Sequence, residues 1–323
     1  MIKPSEMSLG VPMQVANKVI STTDKVWETL IASYQGDLEK LKNLITGCPE
    51  LIYAQYNYTP PIHFAVREGH TAMVKYLLNE GAHAPGYRIY PFLDNLNVIA
   101  EDRGYTEIAV MLNDYAAHPE QQKYFGDNGR IFYNRSPEQM EFEQAVDRED
   151  LAATEAVLKN HPEFALDETF FWGEGILTFA AKHNNRPMAD LLISHGAKVP
   201  DILKWTPAYY FERLDGASYM MEKGMNPNTQ SWQQVSILHN MAQKGDMAKV
   251  QLLLKHGADL NSIDDDYQST PLGMAARWGR AEMVDYLLQQ GADPELAGAD
   301  WARPLVWAQR KGYTGIANRL KNA

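Results

Sequence analysis

Thr270-Pro271-Leu272-Gly273-Met274-Ala275-Ala276-Arg277-Trp278-Gly279 runs on to Met283-Val284-Asp285-Tyr286-Leu287-Leu288-Gln289-Gln290-Gly291-Ala292-Asp293, and this stretch decides the fold. Thr270 is a residue type that caps a helix start, and Pro271 falls at the first helical position, where its missing N–H costs nothing. Ala275 and Ala276 are small enough for two helices to approach closely. Met283, Val284, Leu287 and Leu288 recur at helical spacing and give a second helix one apolar face. Gly291 stands where that helix must end in a left-handed residue. Asp293 to Ala302 is turn-rich and reads as a protruding finger. Such a helix–turn–helix unit cannot bury its apolar face alone, so it predicts neighbours of the same kind.

The neighbours are present on both sides. Upstream, Ser236-Ile237-Leu238-His239-Asn240-Met241 leads to Gly245 and then to Leu252-Leu253-Leu254-Lys255-His256-Gly257-Ala258-Asp259. Downstream, Arg303-Pro304-Leu305-Val306-Trp307-Ala308 leads to Gly312. The equivalent residues Met241, Ala275 and Ala308 are spaced by 34 and 33. Pro60-Pro61-Ile62-His63-Phe64-Ala65 runs to Gly69 and Gly81-Ala82, and Ile176-Leu177-Thr178-Phe179-Ala180 runs to Gly196-Ala197. Weaker copies are anchored at Ala32, Ala100 and Ala145, and a shortened one lies between Thr206-Pro207 and Gly224. The tiling from Asp24 to the C-terminus gives about nine units.

This pattern resembles the ankyrin repeat, with its Thr-Pro-Leu-His-x-Ala signature and period near 33. The resemblance is closest over Ser236 to Asp293, good over Pro60 to Ala82 and partial elsewhere. It implies an all-α, ankyrin-like helical solenoid of helix–turn–helix repeats with short finger hairpins. It also implies that His63 and His239, at the histidine of the signature, make hydrogen bonds that tie neighbouring repeats. It does not supply a ligand, because such arrays share a scaffold rather than a function.

The period breaks once. Ala100 to Ala145 is 45 residues, and the excess lies in His118 to Arg135. Ser136 as N-cap, Pro137 after it and Gln139 three residues on then start a helix afresh. The division read from this is an N-terminal tail over 1–23, a sub-array over 24–117, an insertion or linker over 118–135 and a second sub-array over 136–323. The alternative is one continuous solenoid with a long loop. The insertion, with Tyr124, Phe125, Phe132 and Tyr133 among charges, reads either as a functional loop or as a tether.

Composition narrows the function. The 323 residues carry 30 Lys plus Arg against 41 Asp plus Glu, a net charge of −11, which argues against nucleic acid and anionic membranes as partners. No apolar run approaches the roughly 18 residues of a membrane span. Met1 to Thr23 lacks the apolar stretch of a signal peptide, so the expected location is cytoplasmic. The single cysteine, Cys48, rules out an internal disulfide. It sits near a helix C-terminus, which does not activate a thiol. The nine histidines show no His-x-x-x-His pair, and no nucleophile or phosphate-loop motif occurs. No metal and no cofactor is expected.

The fingers hold the remaining signal. Aromatic residues stand just before the Thr-Pro position in most of them, and carboxylates accompany the rings. We read Trp172, Trp205, Trp232, Tyr267 and Trp301 as anchors of a concave surface, with Asp265, Asp266 and Asp300 as its charged rim. The competing reading is that the rings pack between fingers and the acids are solvated turn residues. The expected function is a non-catalytic protein- or peptide-binding scaffold, with a basic partner if the acids steer it, acting as a monomer. The alternative is a carbohydrate-binding module or glycoside-acting enzyme that uses paired carboxylates of the same groove, such as Asp167, Glu168, Glu174 or Asp264 to Asp266.

Overall fold

The computed structural model describes residues 1–123, 128–204 and 209–323. The chain divides into two compact units, Lys3–Tyr133 and Asn134–Ala323, and the second also holds Met1–Ile2.

Within Lys3–Tyr133 three helix pairs follow one another: Thr23–Gln35 with Leu38–Gly47, Pro61–Arg67 with Thr71–Asn79, and Leu96–Asp102 with Thr106–Ala117. Residues 3–22, expected as a tail, are folded. β1 (Pro12–Val15) pairs antiparallel with β2 (Lys18–Thr22), and Met7, Met13 and Val15 are buried. Part of the expected insertion completes this small sheet. The Gln14 N–H donates to the Arg130 carbonyl at 2.8 Å, and the Phe132 N–H donates to that of Pro12 at 2.9 Å. Tyr124 and Phe125 lie outside the described residues.

Within Asn134–Ala323 the pairs are Pro137–Asp147 with Leu151–Asn160, Leu177–Lys182 with Arg186–Ser194, Ile237–Lys244 with Met247–Lys255, Pro271–Arg277 with Ala281–Gln289, and Pro304–Arg310 with Thr314–Lys321. The shortened unit contributes the single helix Leu214–Glu222 among the described residues. The fold is thus the helical repeat solenoid that the sequence predicts. The capping chemistry is also as read. The Thr270 hydroxyl accepts from the Gly273 N–H at 3.2 Å, and Ser136 with Gln139 forms a reciprocal capping box. Small residues at the contact between first helices (Ala32, Ala65, Ala100, Ala275, Ala308) are fully buried, which lets those helices approach closely.

The turn between the two helices of a repeat shows how one repeat grips the next. Gly36, Gly69, Gly245 and Gly279 all have positive φ there. A side chain from the following repeat lies directly over each: the His70 ring over Gly36, Tyr105 over Gly69, Arg280 over Gly245 and Tyr313 over Gly279. His70 Nε2 hydrogen-bonds the Tyr34 carbonyl at 2.9 Å, and Arg280 Nε donates to that of Gln243 at 2.8 Å. Glycine is therefore required twice over, by its backbone and by the ring or stem laid across it.

Candidate functional site

Each finger is a hairpin closed by its own polar side chains. In the finger before Pro271, the Asp264 N–H donates to the Ser269 carbonyl, while the Asp264 carboxyl accepts from the backbone N–H groups of Tyr267 at 2.6 Å and Ser269 at 3.2 Å. Burial, helped by the neighbouring charge of Asp266, pushes the Asp264 carboxyl up to about 7. In the finger before Ile237, the Ser231 N–H donates to the Val235 carbonyl at 2.9 Å. His239, at the signature histidine, accepts from the Ser236 N–H on Nδ1 and reaches the Ser262 and Ser269 carbonyls from Nε2, both at 3.1 Å. It ties its repeat to the next finger, as the resemblance implies.

The residues read as anchors and rim divide by burial. Trp232 and Tyr267, although on fingers, are buried; neither ring has a face open to a partner. Asp266 is buried as well. Asp265 is partly buried: it accepts from Gln234 Nε2 at 2.7 Å and from the Met1 amino group at 2.6 Å. Trp301 is half-buried, edge-on to the buried Trp307 with ring centres 5.7 Å apart. Asp300 is 91% exposed and pairs with Arg303 at 2.7 Å. Trp172 is 60% exposed. Trp205 lies outside the described residues. The physical reason for the split is that a hairpin only a few residues long has two faces, one of which must pack on its neighbour.

The carboxylates read as a possible catalytic pair are engaged in building the fingers. Both Asp264 oxygens hold backbone N–H groups in a site without solvent access. Buried Glu174 accepts from the Lys204 N–H at 2.7 Å, and Asp167 accepts from the N–H and hydroxyl of Thr169. A raised carboxyl such as Asp264 marks an acid catalyst only where substrate reaches it, and here the finger backbone occupies both oxygens.

One arrangement escaped the sequence reading. A cation in the last turn of a first helix packs against aromatic rings of its own and neighbouring repeats in several units. The Arg277 guanidinium is buried 4.2 Å from the Trp278 ring centre, 4.6 Å from Tyr267 and 4.9 Å from Trp307. Arg67, also buried, sits 5.1 Å from Phe64 and 5.5 Å from Tyr34. Lys182 Nζ is 5.7 Å from each of Phe171, Trp172 and Tyr209. All three cations stand two residues before the turn residue (Gly69, Asn184, Gly279), a spacing visible in the sequence. These contacts lie within the range of a cation–π attraction, which strengthens when the cation is desolvated.

A second missed feature is where the exposed apolar residues stand. Tyr58 (60% exposed), Leu93 (66%) and Trp172 are all finger residues with positive φ, at 59°, 66° and 60°. Phe171 beside Trp172 has φ 49°. A bulky residue in the left-handed region costs about 1–2 kcal/mol, and such strain is retained where the surroundings enforce it, often at functional sites.

The remaining reactive groups are quiet. Burial and the nearby Glu50 charge push the Cys48 thiol up. Among the described residues no group of three or more His, Cys, Asp and Glu is placed to hold a metal ion, and no helix is long and apolar enough to cross a membrane. His83 and His239 are both held down to about 4 by burial. For such a group the unfolded chain binds a proton below about pH 6.5 that the fold refuses until about pH 4, so stability is lost as pH falls through that window. For His83 the loss between pH 7 and 5 amounts to about 2 kcal/mol. Urea unfolding at the two pH values is expected to show that His83→Leu loses about 2 kcal/mol less than the parent chain. The His239 contribution, and the opposite one from Asp264, are common to both proteins and cancel. Equal losses in the two proteins would contradict a buried neutral His83.

Helix pairs stacked in series, with fingers tied by a signature histidine, define a helical repeat protein. The family comparison makes this specific: three copies of the ankyrin repeat match residues 208–298 and one copy matches residues 57–87. These two stretches of the chain are ankyrin repeats. The ankyrin repeat protein nuc-2 of Neurospora crassa is 25% identical over 91% of this chain, covering 24% of its own length. A mouse 2-5A-dependent ribonuclease is 36% identical over 29% of this chain, and the match covers 14% of the ribonuclease. The bovine ankyrin repeat family A protein 2 is 36% identical over 24% of this chain and of itself. The chain thus spans between a seventh and a quarter of these relatives.

Proposed function

We propose that the chain is a non-catalytic protein- or peptide-docking scaffold whose contacts are made by apolar finger residues, Trp172 foremost, with Trp301 beside the Asp300 carboxylate as a second point. The observation that carries this is Trp172 itself. A large indole stands 60% exposed on a backbone where both it and Phe171 are left-handed. Exposed tryptophans of this kind are the residues that dominate binding energy at interfaces. The acidic rim narrows to Asp300 and the accessible part of Asp265, and the chain's net charge of −11 favours a basic partner over an acidic one.

The test is selection of peptides from a random library on the immobilised full chain, followed by titration against Trp172→Gly and Trp301→Ala. Glycine accepts φ 60° without strain, so Trp172→Gly removes the ring while its melting temperature holds or rises. Selected peptides are expected to bind the Trp172→Gly chain at least about tenfold more weakly. Peptides indifferent to both substitutions would overturn the reading.

A further inference from the structure

In several repeats the fourth residue after the N-cap of the first helix is a buried apolar side chain that faces the preceding repeat. Phe64, counted from Pro60, meets Tyr34 with ring centres 6.5 Å apart. Trp307, counted from Arg303, meets Tyr267 at 6.5 Å and the Arg277 guanidinium at 4.9 Å. Met274, counted from Thr270, is fully buried too. In the helix Ile237–Lys244 the same place, counted from Ser236, is taken by Asn240. Its side chain is fully buried, and neither Oδ1 nor Nδ2 has a hydrogen-bond partner. Among the described residues no other side chain leaves two buried polar atoms in this state. A carboxamide that has given up water without gaining a partner is costly to bury, where an apolar side chain in the same place is favourable.

The two faces of this helix are held differently. Forward, it packs on Pro271–Arg277, and His239 reaches the Ser262 and Ser269 carbonyls at 3.1 Å. The Asp265 N–H also donates to the Gln233 carbonyl at 3.1 Å, which joins the two fingers. Backward lies the shortened unit, whose one described helix is Leu214–Glu222. The ties on that side include a two-residue parallel pairing of Ile202–Leu203 with Gln230–Ser231, where the Gln230 N–H donates to the Asp201 carbonyl at 3.2 Å. They also include an exposed bond from Lys249 Nζ to the Glu212 carbonyl at 3.3 Å. The first is a finger contact and the second lies at the surface, while the buried helix position carries the unpaired amide.

We infer that the array parts reversibly at this backward face, with Asn240 as the built-in weak point, so that the last three helix pairs (237–321) move as one body against the shortened unit. Opening admits water to the carboxamide and returns what its burial cost. Asn240 therefore lowers the free energy of this separation, whereas Phe64, Met274 and Trp307 raise that of theirs. Trp172 precedes the line and Trp301 follows it, so the opening changes the spacing of the two docking points. The opening itself does not depend on either residue being one.

Native-state amide hydrogen exchange of the full chain, followed in increasing urea, tests this. The Gln230 amide is bonded across the line and reports the separation. The Asp265 amide is bonded within the moving body and serves as control. Relative to their intrinsic rates, Gln230 is expected to exchange faster than Asp265 and with a shallow dependence on urea, since a local opening exposes little surface. Two variants keep the size of the side chain and remove its polarity: Asn240→Leu, and Asn240→Met, which matches position 274. The one that packs without strain is expected to slow Gln230 about ten- to hundredfold at low urea. If both variants leave Gln230 unchanged or speed it, the amide is stabilising where it stands, held by an internal water, and the proposal is overturned. A steep urea dependence shared by Gln230 and Asp265 in the parent, the mark of global unfolding alone, overturns it as well.

Discussion

Replacing Trp232 by alanine is expected to lower the stability of the Asn134–Ala323 unit by about 3–5 kcal/mol. The ring is buried although it stands on a finger, and the hairpin closed between Ser231 and Val235 folds around it. Truncation leaves a cavity that a hairpin pinned by its own hydrogen bonds cannot collapse to fill, so the cost lies in the range for a large core side chain. That is a large share of the 5–15 kcal/mol that stabilises an ordinary domain. Denaturant unfolding of the full chain measures it. The same substitution separates the two roles a finger tryptophan can have: Trp172→Gly is expected to change binding and leave the melt intact, while Trp232→Ala does the reverse at temperatures where the variant remains folded. A Trp232→Ala chain that melts like the parent would show that the ring is not part of the core.

Gly279→Ala is expected to cost about 2–3 kcal/mol. Two penalties combine there. The backbone has φ +72°, which costs an L-residue about 1 kcal/mol or more. The new methyl would also lie 2.8 Å from the Tyr313 ring, closer than carbon atoms pack. The two separate in a double-mutant cycle. In a Tyr313→Ala background the steric part disappears and Gly279→Ala is expected to cost only about 1 kcal/mol. Additive effects in the cycle would mean that the ring does not lie across the glycine. The matching contact of Tyr105 with Gly69, at 2.7 Å, offers an independent repetition in the other unit.

The scaffold was legible because its signals are local and repeated. Thr270, Pro271 and Gly291 each announce a helix boundary by a requirement of the backbone, and the recurrence near 33 residues makes chance agreement negligible. The binding residues were only partly legible because burial on a finger is decided between repeats. Trp232 and Trp172 are the same residue type on equivalent hairpins, and nothing local says that one is folded inward and the other held out on left-handed backbone. The acids of the fingers were misleading for the same reason: Asp264 and Glu174 look like a solvated rim but hold backbone N–H groups. Residues 3–22 carry no repeat signal, so their hairpin was invisible; its core, Met13 and Val15, alternates with polar residues over too short a span to stand out. The stacked cations Arg67, Lys182 and Arg277 could have been found by aligning the units on their turn residue.

The contacts across the turn glycines all run one way. His70, Tyr105, Arg280 and Tyr313 each reach back onto the preceding repeat, and none of the four glycines reaches forward. Stripping a repeat from the C-terminal side of either unit therefore uncovers a glycine, which loses nothing by meeting water. Stripping one from the N-terminal side removes the floor beneath a ring, and for His70 and Arg280 the backbone carbonyl that accepts its hydrogen bond. Each interface is thus polar in the vectorial sense, like a row of tiles laid with overlap, and a chain emerging from synthesis N-terminus first always finds the seat in place before the side chain that is to occupy it.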